Sequence, residues 1–344
     1  MAHPVESGFF MPAEWAAHSR CWMAWPCRES LWGEGLAAAR EAYAEVAREI
    51  SRFEPVTMIA NPEHVAEVSL SCGSGVSCLP LAHDDSWTRD SGPTFVVDGA
   101  GKTAGVDWVF NAWGGKHQPY DRDAEMAQRI LEQAKLPRYA APLVAEGGAL
   151  HVDGEGTLLT TEQCLLNPNR NPDMSRAEVE GHLRDFLGVE KVIWLVGDPL
   201  DEETDGHVDN LACFAAPGVV LAQQPGAEDR PNHAALAENL KRLREAVDAR
   251  GRTLEVIEMP QPQTEQLDYR GAPLLASYIN FYLANGAVIA PAFEDPADDR
   301  AFQIFNQVFP DRQVVQIRAL DILQGGGGIH CITQQQPEGA ADEA

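Results

Sequence analysis

The chain has 344 residues, with 52 Asp and Glu against 26 Lys and Arg, a formal net charge of -26. Hydrophobic residues make up 44% and charged residues 23%, the composition of an ordinary folded protein. So acidic a surface repels nucleic acid and anionic membranes and attracts small cations, and no apolar run is long enough to span a bilayer.

The opening "MAHPVESGFFMPAEW" has no basic segment ahead of an apolar core, so no signal peptide is expected and the location expected is cytoplasmic. Without such a signal, seven cysteines argue against a disulfide framework. Cys21 and Cys27 share a spacing with Cys72 and Cys78, but neither pair has the neighbouring histidines of a zinc site. Neither a metal nor an organic cofactor is expected. Cys164 in "TTEQCLL" and Cys213 in "NLACFAA" read as small buried residues.

In chain order, a helix near 36–51 leads to the strand "VTMIA". From there one pattern recurs: an apolar strand, a polar loop, a hairpin with a glycine turn, then a helix. The five copies begin at "VSCLPL", "RYAAPLV", "KVIWLV", "TLEVIEM" and "QVVQIR". Turn signals "DGAG", "DGEG", "APG" and "ANG" sit at matching places in the first four. The helix of "DRDAEMAQRILEQAK" has Met126, Ile130 and Leu131 at helical spacing. That of "SRAEVEGHLRDFLG" opens on a Ser cap with Glu178 three residues on and closes at Gly188. Leu236, Leu240, Leu243 and Val247 form a stripe on a third helix, and a fourth is expected near 298–308. Five like units close most simply about a pseudo-fivefold axis, which predicts an α/β fold: a five-bladed β/α-propeller of strand–loop–hairpin–helix repeats. No linker divides it, so residues 1–337 are read as one catalytic domain and 338–344 as a disordered acidic tail.

If the repeat holds, its polar loops converge at the centre. They offer Trp87, Arg89 and Asp90; Glu146; Glu203, Asp205, His207 and Asp209; Tyr278 and Asn280; His330 and Cys331. Read as an extended strand, "GHVDN" turns His207 and Asp209 to one face and Val208 to the core. The stretch "LQGGGGIHCITQQQP" strips four side chains away just before a thiol, which leaves room for a ligand and frees backbone N–H groups.

A thiol beside an imidazole is an arrangement for covalent catalysis, but carboxylates raise a thiol pKa. The combination makes sense when the substrate brings the positive charge. A guanidinium suits two carboxylates and a covering indole. In this reading Asp90 and Asp209 grip the guanidinium, Cys331 attacks its carbon, and His207 protonates the departing ammonia and then activates water. Activity should fall at low pH as His207 and the carboxylates protonate.

The segments "MPAEWAAHSRCWMAWP", "WTRDSGP", "EGG", "DETDGHVDN"-like residues 202–210, "SYINFY" and "GGGGIHCITQQQP" run nearly end to end in an order that resembles the agmatine deiminase family. That is a branch of the guanidino-group-modifying superfamily that also holds bacterial peptidyl-arginine deiminases. The resemblance implies the five-bladed propeller, Cys331 as nucleophile, His207 as acid and base, and Asp90 with Asp209 as guanidinium ligands. Trp87, Glu146 and Glu203 follow as substrate contacts, and Asn280 is placed with them. The acid-rich loops (Asp84, Asp85, Asp201, Glu202, Glu203) favour agmatine over arginine or peptidyl-arginine as substrate, with N-carbamoylputrescine and ammonia as products. A non-catalytic polyamine-binding protein is the alternative from another class. The loop 111–121 is a candidate lid. The sequence leaves the oligomeric state open, and a homodimer is the assembly common in such families.

Overall fold

The computed structural model describes residues 3–262 and 275–339, together with the backbone of 268–269 and 272–273. The 340–344 part of the expected tail lies outside the described residues, as does most of the insertion in the fourth copy.

The architecture is α/β, built on five small mixed sheets. Each has the same three-strand plan: an antiparallel pair, then a helix, then a strand parallel to the second. Thr94–Val97 pairs antiparallel with Thr103–Val109, which lies parallel to Arg138–Val144. His151–Val152, Thr157–Thr161 and Lys191–Leu195 repeat this. So do Ala212–Ala216, Val219–Gln223 and Glu255–Met259, and Tyr282–Ala284, Ala287–Ala292 and Gln313–Arg318. In the remaining sheet the antiparallel pair joins the two ends of the chain. Gln334–Pro337 pairs with His18–Ala24, which runs parallel to Val56–Ala60 and, beyond it, Val76–Pro80. The fifth sequence copy is therefore completed by the first strand of the chain.

Each helix between second and third strands buries one stripe on its sheet. Arg176–Leu187 starts at the Ser175–Glu178 capping box and ends at Gly188 in the left-handed region, as its sequence predicts. Asp298–Val308 and Met126–Ala134 also form where expected. The stripe Leu236, Leu240, Leu243 is buried, but Val247 is not part of it. The helix stops at Glu245, Ala246 turns to extended backbone, and Val247 bridges Thr253 at the surface.

Apolar clusters link successive sheets. One joins the terminal sheet to the next through Trp22, Ile59 and Phe95, and another continues from Val106 to Leu158. A third joins Ile193 to Phe214, and the largest runs from Leu221 through Tyr282 and Ile289 back to Met23 and Met58. Buried apolar area of this extent is the main force holding the sheets together.

Candidate active site

Every site residue lies on a crossover that leaves the last strand of one sheet and enters the first strand of the next. Trp87 and Asp90 follow Val76–Pro80, Glu146 follows Arg138–Val144, and Glu203, His207 and Asp209 follow Lys191–Leu195. Asn280 precedes Tyr282–Ala284, and Cys331 precedes Gln334–Pro337. The repeat units read from the sequence thus straddle two sheets each, and their polar loops meet.

Asp90 sits in the one-turn helix Thr88–Ser91. That turn is tied to the thiol segment: the Arg89 N–H donates to the Cys331 carbonyl at 3.2 Å, and the Thr88 hydroxyl to the Ile332 carbonyl at 2.9 Å. The Gly148 N–H donates to Asp90 Oδ1 at 2.9 Å. Gly148 has to be glycine, because a Cβ there would stand 2.5 Å from His207 Nδ1, 2.9 Å from Asp90 Oδ1 and 3.0 Å from Asp209 Oδ2. Those three groups therefore face one another across a single bare backbone position. The Cys331 thiol is 3.6 Å from Asp209 Oδ2 and accepts from Asn280 Nδ2 at 3.1 Å. Asn280 Oδ1 also takes the His330 N–H at 2.9 Å, so this amide orients the thiol segment as well as touching the sulfur.

Val208–Asn210 is a 3-10 turn, not the extended strand expected from "GHVDN". His207 and Asp209 nonetheless share the site and Val208 enters the core, because the turn closes within two residues.

The glycine run has a reason other than ligand space. A Cβ on Gly327 would lie 2.6 Å from Trp87 Cζ3 and 3.2 Å from Cys331 Sγ. One on Gly325 would strike Trp32, and one on Gly328 would come 2.4 Å from Asn280 Oδ1. What approaches the thiol from that side is Trp87, stacked in turn on Trp32 at 5.9 Å. Gly326, at φ +98°, occupies the region that disfavours other residues.

Glu146 is fully buried beside His207, with its Oε2 3.6 Å from His207 Nε2. Its Oε1 accepts from Arg170 Nε at 2.6 Å, and the Cys164 thiol donates to Oε2 at 3.7 Å. Glu146, Cys164 and His207 form the one group of three among the described residues with ligand-type atoms all within 4.8 Å. Arg170 and the thiol already bond Glu146, and no metal is assigned to it. Glu203 lies at the edge, half-exposed, against His117.

The candidate lid is docked on this centre. Trp113 Nε1 donates to Asp90 Oδ2 at 2.9 Å, Lys116 pairs with Asp205 at 2.8 Å, and His117 meets Glu203. Ala112 and Trp113 have positive φ, a strain of the kind that clusters at functional sites, and Gly114 and Gly115 continue the left-handed run without cost.

Burial lifts the Cys331 thiol well above its ordinary value, and Asp209 and Asp90 lift it further. Burial also raises Asp90; His207 opposes this, while Asp209 and Glu146 add to it. For Asp209 burial works upward too, but the His330 N–H and charge outweigh it and hold the carboxyl low. His207 loses solvation by burial, yet Asp90, Cys164 and Glu146 push it well above its usual range. These neighbours favour the protonated ring, the form a general acid needs. Neither ring nitrogen of His207 nor Asp209 Oδ1 has a hydrogen-bond partner among the described residues, although all are buried.

A family model, described as Porphyromonas-type peptidyl-arginine deiminase, matches residues 10–337. The chain belongs to that family. The agmatine deiminase of Stutzerimonas stutzeri is 46% identical over 356 residues, covering 97% of both chains. Of solved structures, the agmatine deiminase of Enterococcus faecalis is similar at a TM-score of 0.95 and 36% identity, covering 98% of each chain. That of C. jejuni is similar at 0.86 and 25%, covering 97% of each.

In this family member several buried groups reach the site without standing out in the sequence. Arg170 hides in the polar run "NPNRNP", although a charged residue just after a strand was a signal that Glu146 has a partner. Cys164, read as an inert core residue, touches Glu146. Glu14, in "MPAEW", reaches the site from the N-terminal arm: it pairs with Arg89 at 3.3 Å and His330 at 2.8 Å. An acid set among apolar residues was the available sign.

Proposed function

We propose that the protein is an agmatine deiminase, converting agmatine to N-carbamoylputrescine and ammonia, with residues 1–337 forming one catalytic domain of five pseudo-fivefold blades. The chain of apolar clusters that returns to its starting sheet supports the closed arrangement. The observation that carries the chemistry is the meeting of Asp90, His207 and Asp209 at Gly148 with the Cys331 thiol 3.6 Å from Asp209.

The guanidinium lies between Asp90 and Asp209, with Trp87 beside it. Its charge drives the thiol proton off to solvent, while Asp209, whose Oδ2 lies 3.6 Å from the sulfur, stays ionised against the guanidinium. The thiolate adds to the guanidinium carbon. His207, already protonated and flanked by Glu146, gives its proton to the departing nitrogen, and ammonia leaves a thiouronium on Cys331. Neutral His207 then takes a proton from water. Hydroxide adds to the same carbon, the C–S bond breaks, and the ureido product departs as the thiol is reprotonated. Asn280, through its contact with the sulfur, sets the direction of attack.

The substrate's far end distinguishes agmatine from arginine, though not for the reason the sequence suggests. Asp85 is ion-paired with Arg28 and Asp201 bonds Thr204, so neither waits for an ammonium. Instead, among the described residues, the cations named around the site each face a protein carboxylate: Arg28 with Asp85, Arg89 with Glu14, Lys116 with Asp205, Arg122 with Asp84 and Arg170 with Glu146. That pairing disfavours a substrate that brings a further carboxylate. The names of the similar proteins agree with this. The test is ammonia release from agmatine beside arginine, with Cys331→Ala as control. Turnover of agmatine alone, abolished in the variant, is expected. Binding of agmatine without turnover would make the chain a polyamine-binding protein, and preference for arginine would overturn the substrate.

A further inference from the structure

His330 stands directly before the nucleophile, fully buried, with a carboxylate oxygen on each ring nitrogen. Nδ1 is 2.9 Å from Asp209 Oδ2 and Nε2 is 2.8 Å from Glu14 Oε1. An ionised carboxylate only accepts hydrogen bonds, so each nitrogen must carry a proton and the ring must be an imidazolium. Glu14 is itself almost inaccessible and is held from two more sides, by Arg89 Nη1 at 3.3 Å and His151 Nε2 at 3.6 Å. Arg89 Nε also donates to the His330 carbonyl at 3.2 Å, which fixes the ring's own backbone. At the other end Asp209 has one oxygen pinned by His330, while Oδ1, buried and without a hydrogen-bond partner, is left for a ligand.

We propose that Glu14 is a positioning residue for this reaction: through the His330 imidazolium it fixes the Asp209 carboxylate beside the Cys331 sulfur and keeps it charged. This rests on the deiminase reading above and adds to it a residue on the N-terminal arm that touches neither substrate nor sulfur. The charged and titratable groups facing the pair are Arg89 and His151 around Glu14, Cys213 behind, and Asp90, His207 and Cys331 around Asp209. Burial alone would depress His330 and raise Glu14, and Arg89 lowers His330 further. The two carboxylates nonetheless leave His330 above its ordinary value, and the surrounding cations hold Glu14 below its own.

The consequence is a pH signature that packing alone would not produce. In Glu14→Gln the side-chain shape and a carbonyl acceptor remain, but the charge sustaining the imidazolium is gone. His330 then loses its second proton at lower pH, Asp209 loses its charged partner with it, and the alkaline limb of kcat/KM moves down. The acid limb does not move up, because the ring is still protonated where Asp209 titrates. The alkaline limb should shift inward by about one unit or more, the usual effect of one close opposite charge. Glu14→Asp should restore part of the width. An alkaline limb of wild-type position in Glu14→Gln would overturn the proposal, whatever its rate. A second measurement reads the ring directly in the unmodified protein and needs no Glu14 variant. NMR of isotope-labelled histidine, with the His330 signals identified by their loss in His330→Asn, should show a doubly protonated ring throughout the active pH range. A neutral ring there would overturn the proposal and leave the deiminase reading intact.

Discussion

Burial, and after it the two carboxylates that later bind substrate, hold the Cys331 thiol well above its ordinary pKa, so its reactivity should depend on the charge of whatever enters the site. Two small alkylating agents of equal size separate the two cases: a neutral haloacetamide and its haloacetamidine, which is a cation with the guanidinium's planar N–H geometry. The sulfur lies 3.6 Å from Asp209 Oδ2. A cation held between Asp209 and Asp90 therefore stands about 4 Å from the sulfur. At an effective dielectric of about 20, that attraction is about 4 kcal/mol in favour of the thiolate. At roughly 1.4 kcal/mol per pKa unit, the thiol should ionise about three units more easily. The assay is the limiting inactivation rate at saturating reagent, so that tighter binding does not enter, with free cysteine as the reference for intrinsic reactivity. The cation-to-neutral ratio should be about a thousandfold larger on the protein than on free cysteine, and most of that excess should vanish in Asp209→Asn. A ratio equal to that of free cysteine would show that the thiol is ionised without help, and the argument from substrate charge would fail.

Two other substitutions probe the frame around that centre. Gly327→Ala places a Cβ 2.6 Å from Trp87 Cζ3 and 3.2 Å from Cys331 Sγ; it should lower stability by about 1–3 kcal/mol and remove most turnover, while Gly99→Ala, with nothing within 4 Å, serves as the control in urea denaturation. Wild-type behaviour in Gly327→Ala would mean that Trp87 does not need this approach. Arg170→Met leaves buried Glu146 with only His207 and the Cys164 thiol beside it, at a cost of up to about 3–5 kcal/mol. Adding Glu146→Leu should recover part of that stability but no activity, and strictly additive losses in a denaturation cycle would contradict the pairing.

What was legible in the sequence was local. Ser175 with Glu178 declares a helix start, Gly188 its end, and glycine turns such as Gly218 and Gly286 the hairpins, since each signal acts within a few residues. The site's main members were legible too, because polar residues between apolar strands stand out. What stayed hidden depends on contacts between distant segments. Nothing near Arg170 announces Glu146, and nothing near Glu14 announces His330, 316 residues away. The register of His18–Ala24 against Gln334–Pro337 is equally silent in either strand. The failure at Val247 has the same root: its spacing fits the helical stripe, but Asp248 draws the chain into a turn by accepting from Arg250 and Arg252.

The crossovers explain why a wrong local reading still brought the same side chains together. His207 and Asp209 reach the centre on a 3-10 turn rather than a strand, because their crossover joins two sheets whose positions are fixed by buried apolar clusters on either side. Backbone between such anchors is free to take whatever turn delivers the side chains, and loops on a rigid scaffold carry function for that reason. Charge then limits what the loops can bring together. Glu14, Asp90, Glu146 and Asp209 stand among Arg89, Arg170, His207 and His330, groups that carry or can take up positive charge. A cationic substrate entering among them favours loss of a nearby proton, and the thiol of Cys331 is the group the proposed reaction ionises. Arg89, and Arg170 which nothing in its own stretch of sequence singles out, are thus as necessary to the chemistry as the carboxylates: without them the acids would hold their own protons, and the thiol would have no reason to give up its own.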